Sequence, residues 1–323
     1  VSGTRPKDDA VGVVLPRDLP AGRVLAYARR AEELGFDELW VVEDLGFRGG
    51  TAQAAAVLAV TSRIRVGVGI LPTAARNVAF AAMEIASLAE LFPGRVDVGV
   101  GHGMPHWMRS VGAWPASPLT LLDEYVSTLR ALLRGERVTI EGRYVQLSGV
   151  ELETRPDVVP PILTGVRGPR SLAVSGAVAD GTILAEPVTP EYVASTLGHV
   201  AADGPHRLVG YNVAAVGDDP DATFATARAG LEWIGEPDWA PHITPLPFAD
   251  ELAALRASSA SREEFVAAMP DEWVSTLAVV GPAATARARI DELHAAGLAS
   301  VVLVPVGSDP FAALSSLATV LRG

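Results

Sequence analysis

The chain has 323 residues, 49% apolar and 20% charged, with no cysteine and a formal net charge of −12. The missing thiol removes cysteine nucleophiles, disulfides and thiolate metal sites, and the single lysine, Lys7 in the polar N-terminal stretch, leaves no buried amine for Schiff-base or pyridoxal phosphate chemistry. No Gly-Lys-Ser/Thr phosphate loop occurs, and the acidic balance argues against nucleic acid and anionic membranes as partners.

Short β-branched runs alternate with longer helical stretches, the pattern of repeated βα units. A strand over 11–15 leads to a helix over 24–34, where Leu25, Ala28, Ala31 and Leu34 share a face and Gly35 is the stop. Strands over 38–42 and 64–70 are followed by helices over 51–60 and 78–91, the latter closed by Pro93 and Gly94. A strand over 96–101 and a helix over 119–133 come next, then a hairpin over 137–147 around Gly142. Strands over 161–164 and 182–185 alternate with helices over 171–178 and 191–200, and a strand over 208–216 follows. After residues 218–276 the chain ends in a helix over 284–296, a strand over 300–305 and a helix over 311–321.

Eight strands and eight helices predict a single-domain (β/α)8 TIM barrel over residues 1–323, with an open doubly wound sheet as the other arrangement. Its insertions fall between strands four and five and after strand seven. The second, residues 218–276, is rich in Trp and Pro and is expected to form helices and cap the site. No apolar run reaches the roughly 18 residues of a membrane span, and residues 1–10 lack the apolar core of a signal peptide. The expected setting is the cytoplasm.

Barrel chemistry sits at the C-terminal ends of the strands. Those ends carry Pro16 and Arg17, Glu43 and Asp44, residues 69–73, residues 101–106, residues 165–170, and Glu186. Glu43 and Asp44 offer a general base or a substrate ligand, or equally a helix cap or an ion pair. His102, between Gly101 and Gly103, is the leading acid/base candidate, because imidazole titrates near neutral pH. With His106 it makes a poor metal pair, since Pro105 breaks the helix that would align them and no third ligand is evident; no metal is expected. Gly165, Val166, Arg167, Gly168, Pro169, Arg170 and Ser171 combine a glycine-rich turn, a proline at a helix start and two cations into an anion cradle. Trp107 is the aromatic near enough to a site to stack on a planar ring.

Together these stretches resemble the luciferase-like flavin and deazaflavin oxidoreductases. The run from Gly12 to Leu15 with that from Ala28 to Trp40 is similar to the family's first βαβ unit, and Ile64 to Gly69 with Arg76 and Asn77 to its third strand and loop. Gly94 to Gly101 resembles its fourth strand, Gly165 to Leu172 with Ala179 to Gly181 its cofactor-phosphate region, and Val279 to Pro282 with Ala296 and Gly297 its final unit. The resemblance implies a luciferase-like barrel that binds coenzyme F420 (a deazaflavin) or FMN, closest in look to the methylenetetrahydromethanopterin reductase branch. It implies a non-prolyl cis peptide at Gly69-Ile70 that presses a bulge against the ring. Gly101, Gly103, residues 165–171 and Glu186 would complete the cofactor contacts, and His102, Glu43 and Asp44 the catalytic set. Either carboxylate would orient the imidazole across the mouth and raise its pKa.

Two departures stand out. The deazaflavin dehydrogenases end the second strand in Asp-His where this chain has Glu43-Asp44, and carry a Glu where His102 stands. A sugar phosphate is therefore a poor fit as substrate. The leading expectation is hydride transfer between F420 and a small organic substrate. The alternatives are an FMN-dependent monooxygenase supplied with reduced flavin by a partner reductase, and a non-catalytic flavin-binding protein. The almost wholly small and apolar helix over 51–60 carries more apolar surface than one buried stripe needs, which predicts a homodimer.

Overall fold

The computed structural model describes residues 8–321, so Lys7 and most of the polar N-terminal stretch lie outside it. Strands β1 (Ala10–Val14), β2 (Glu38–Val41), β3 (Arg65–Pro72) and β4 (Val96–Gly101) pair in parallel in that order. Two short strands, β5 (Val138–Glu141) and β6 (Gln146–Val150), form the expected antiparallel hairpin outside the sheet. The sheet continues through β7 (Ile162–Gly165), β8 (Gly181–Leu184) and β9 (Arg207–Val216). Pairing of β8 with β9, of β9 with β11 (Ser300–Pro305), and of β11 with β1 closes it. The result is an eight-stranded (β/α)8 barrel, and closure excludes the open doubly wound sheet.

One strand was not foreseen. β10 (Val279–Gly281) lies parallel to the last residues of β9, pairing Val279 with Ala214 and Gly281 with Val216. β9 is ten residues long and outruns its barrel neighbours, and the overhang offers backbone groups that β10 satisfies. Between β9 and β10 the 218–276 segment folds into short helices around a core of its own, including Leu231, Phe265 and Leu277. Among the described residues no helix is long and apolar enough to cross a membrane.

The barrel interior is layered. Trp40 fills the middle because Gly67 has no side chain: a Cβ there would sit 2.2 Å from the indole. Val14, Leu163, Ile183, Val209, Tyr211 and Val302 pack with it. Below, Arg207 pairs with Glu38 and Asp97, Arg65 with Asp97, and Ser300 and the Trp40 indole N–H donate to Glu38. Burial pushes the Asp97 carboxyl up, but Arg207 and Arg65 outweigh it and hold it low. Removing one partner from such a buried set costs about 3–5 kcal/mol, so this ionic floor shuts the N-terminal end. The open end is the other one.

Candidate active site

The mouth is built from strand ends, and glycines shape it. The Gly69–Ile70 peptide is cis, and the pairing of β3 with β4 shifts register between Val68 and Leu71. This lifts the Ile70 side chain over the glycines of the neighbouring strands. A Cβ at Gly101 would lie 2.4 Å from Ile70 Cδ1, and one at Gly165 2.6 Å from Ile70 Cγ2. The outcome is an apolar bump seated over the Gly101 and Gly165 positions, against which a flat ring can lie.

At the end of β7 the helix Pro169–Val178 begins with Gly168 as N-cap and Pro169 in its first turn, and no side chain caps it. Its first N–H groups and the positive end of its dipole are open to an anion. Arg170 is exposed beside them. Arg167 is turned differently: its guanidinium donates to the Asp238 carbonyl at 2.9 Å and lies 4.9 Å from the Trp239 ring centroid. It ties the cradle to the cap, and Val166 is buried behind it.

His102 joins this region. Its Nε2 hydrogen-bonds Ser171 Oγ at 3.1 Å, while its buried Nδ1 has no partner among the described residues. Gly103 follows with a φ of +70°, a turn that favours glycine. The expectation that Glu43 or Asp44 orients the imidazole and raises its pKa is corrected here. Ser171 is the partner, and burial pulls the imidazole below its usual range.

Both carboxylates are engaged elsewhere. Glu43 accepts from the two Arg76 guanidinium nitrogens at 2.6 and 2.8 Å, and from the Gly50 N–H at 2.7 Å. That bond also satisfies the start of the helix Gly50–Val60. Asp44 pairs with Arg17 at 2.5 Å. The ion-pair alternative describes both residues. Pro105, read from sequence as a breaker, opens a short helix, Pro105–Ser110, in its first turn. His106 on that helix is exposed and packs edge-on to Trp107, apart from His102's partners.

Glu186 follows β8, half-buried, just before a cis Pro187. Its carbonyl accepts from the Trp239 indole N–H at 3.0 Å, and the Pro187 carbonyl accepts from His242 Nδ1 at 3.1 Å. The 218–276 segment is thus clamped onto the ends of β7 and β8. Burial raises the Glu186 carboxyl above its usual range; Asp44 adds to this, while Arg167 and Arg17 oppose it. Sequence reading missed Tyr211 on β9, whose buried hydroxyl has no partner among the described residues and occupies the space a Gly69 Cβ would take. A cleft of about 430 Å³ opens beside the mouth, lined by Arg76, Trp114, Tyr125 and Tyr144 among others, but neither His102 nor Glu186 lines it.

The chain is 28% identical over 311 residues to the 5,10-methylenetetrahydromethanopterin reductase of Methanolobus tindarius, covering 91% of this chain and 93% of that one. It is 35% identical over 201 residues, 58% of each chain, to the F420-dependent glucose-6-phosphate dehydrogenase of Beutenbergia cavernae. The coenzyme F420-dependent tetrahydromethanopterin reductase of Methanopyrus kandleri has the same fold, with a TM-score of 0.81 at 20% identity over 96% of this chain and 97% of that one. Residues 7–300 match the pattern of the luciferase-like monooxygenases, and with that match over most of its length the chain belongs to this family of oxidoreductases.

Proposed function

We propose that the protein is a cytoplasmic, F420-dependent oxidoreductase that moves a hydride between the deazaflavin and a small organic substrate. The observation that carries this reading is the placement of the Ile70 bump beside the uncapped start of the helix Pro169–Val178, with only the end of β4 between them. A tricyclic ring with a phosphate-bearing side chain needs that pair of features. Gly69, Ile70, Gly101 and Gly103 would flank the ring. Gly165, Gly168, Arg170 and Ser171 would hold the phosphate. When bound, the deazaflavin supplies the hydride acceptor or donor.

The protein's own groups hold this cofactor in place. His102, whose imidazole burial pulls below its usual range, would hold the Ser171 hydroxyl in place through its Nε2 bond. Glu43 and Asp44 act on loop positions through Arg76 and Arg17. The 218–276 segment excludes water from the β7–β8 side.

Side-by-side titration of the apo protein tests the reading. F420 should bind at micromolar level or tighter, and more strongly than FMN. Arg170→Ala should weaken F420 binding by about tenfold, as expected for one charge-assisted contact of about 1.5 kcal/mol. Tighter binding of FMN would instead favour the monooxygenase with a partner reductase, and no binding of either would exclude both readings.

We also infer a homodimer. Phe80, Met83 and Leu91 stand 65%, 53% and 71% exposed along the helix Val78–Leu91, next to the alanine-rich helix Gly50–Val60. Three large apolar side chains exposed on one helix mark a candidate contact surface. Light scattering at micromolar concentration should give twice the chain mass, and Phe80→Glu should shift the protein to monomer. A wild type that scatters as a monomer rules the dimer out.

A further inference from the structure

Most titratable side chains at the mouth already have a job. Both Glu43 oxygens are held by Arg76 and the Gly50 N–H, Asp44 is paired with Arg17, and the His102 imidazole is bonded to Ser171. Glu186 differs. Its backbone is pinned from above through the Trp239 indole, yet among the described residues no other residue gives its carboxyl an ion pair or a hydrogen bond, and it is reached only by its own N–H. A half-buried carboxyl held by its backbone and left free at its tip is poised to exchange a proton rather than to brace the fold.

Its surroundings converge from every side of the mouth. Arg17 from the end of β1, Asp44 from β2 and Arg167 from β7 all act on its charge, and Glu186 acts in turn on Tyr211 of β9. From the cap, His242 packs on Pro187 next to Glu186 and is held neutral by burial. Tyr211 gives the second, independent observation. It is only 6% exposed, and its unpartnered hydroxyl lies at Gly69, in the peptide that carries the Ile70 bump. A free carboxyl after β8 and an unsatisfied hydroxyl on β9 therefore lie on neighbouring strands, next to the strand β7 that opens the anion cradle.

We propose that Glu186 exchanges the proton that accompanies hydride transfer. The proposal rests on the hydride-transfer reading above. When an alcohol is oxidised to a carbonyl compound, its C–H bond breaks and the hydride, with both electrons, goes to the deazaflavin. The O–H bond breaks and its proton goes to the Glu186 carboxylate. In the reverse direction the carboxyl returns that proton to the oxygen as the carbon receives the hydride. Atoms and electrons balance with the cofactor as the only oxidant or reductant. Burial favours the protonated carboxyl, while Arg167 and Arg17 favour the carboxylate, so the two states are drawn together at this position.

Infrared titration of the apo protein gives a readout free of cofactor and substrate. The wild type should keep a protonated-carboxyl C=O band above the ordinary Glu value of about 4.3; Glu186→Gln should abolish it and His102→Gln should leave it. Loaded with F420 and given propan-2-ol as probe alcohol, Glu186→Gln should reduce cofactor about 10²–10⁴-fold more slowly, with F420 affinity within threefold of wild type. Glu186→Asp should recover part of the rate and keep the acid limb of the pH profile. A band that survives in Glu186→Gln, or an undiminished rate in that variant, overturns the proposal. So does a tenfold loss of F420 affinity with the rate intact, which would make Glu186 a cofactor contact. Failure of the hydride reading shows separately, as a wild type that does not bind F420.

Discussion

Acidification from pH 6.5 towards 3 should undock the 218–276 segment before it unfolds the barrel. His242, fully buried between the cap and Pro187, packs its ring 4.3 Å from that of Tyr192. Burial, with the nearby Arg167 charge adding to it and the Pro187 bond opposing, pushes its pKa down to about 3. In the unfolded chain the imidazole titrates near 6.5. The folded form is therefore at no disadvantage above about pH 6.5 and loses stability as the pH falls towards 3, because only the unfolded or undocked state can take up the proton. At about 1.4 kcal/mol per pH unit, a window ending at about 3 is worth roughly 4–5 kcal/mol. Trp233 and Trp239 stack at 6.3 Å inside the segment, and Trp239 also bonds the Glu186 carbonyl, so indole fluorescence reports on docking. His242→Gln should flatten the fluorescence change between pH 6.5 and 4. An acid transition of the same slope in that variant would show that other groups drive it.

Fold and site were legible to different depths, and the difference is one of range along the chain. Barrel strands announce themselves locally, as short β-branched runs bounded by Gly and Pro, so β1–β4, β7–β9 and β11 were placed within a residue or two. β10 was not, since three residues carry no period and Val279–Gly281 is a strand only through the overhang of β9. At the site, the family resemblance pointed to the cis peptide at Gly69-Ile70, which the structure contains. Side-chain partnerships were invisible. Ser171 lies 69 positions from His102, and Arg76 lies 33 positions from Glu43. Two adjacent carboxylates in sequence say nothing about which distant arginine claims them. Tyr211 escaped notice for another reason. β9 is buried on both faces from Leu208 to Val216, so no alternation marks the side that faces the barrel axis.

Gly101→Ala should cripple cofactor binding while leaving a folded barrel. The added Cβ would fall 2.4 Å from Ile70 Cδ1 and 2.6 Å from the Gly165 carbonyl oxygen. The Ile70 tip can rotate away, but the Gly165 oxygen belongs to backbone paired with β4 and can move only with the end of β7. Ile70 is the bump and Gly165 opens the cradle, so one methyl group disturbs both proposed contacts at once. Forcing an extra methyl into packed structure costs about 1–3 kcal/mol. Drawn from the binding free energy, that is about 10–100-fold in the F420 dissociation constant. Gly22→Ala supplies the control. A Cβ at Gly22 meets nothing within 4 Å, and the residue lies in the first turn of the helix Ala21–Leu34. That variant should match wild type in unfolding midpoint and in F420 affinity. If Gly101→Ala keeps a native circular dichroism spectrum and binds F420 as tightly as Gly22→Ala does, the ring does not lie against Ile70, and the bump has a purely structural origin in the packing of β3 on β4.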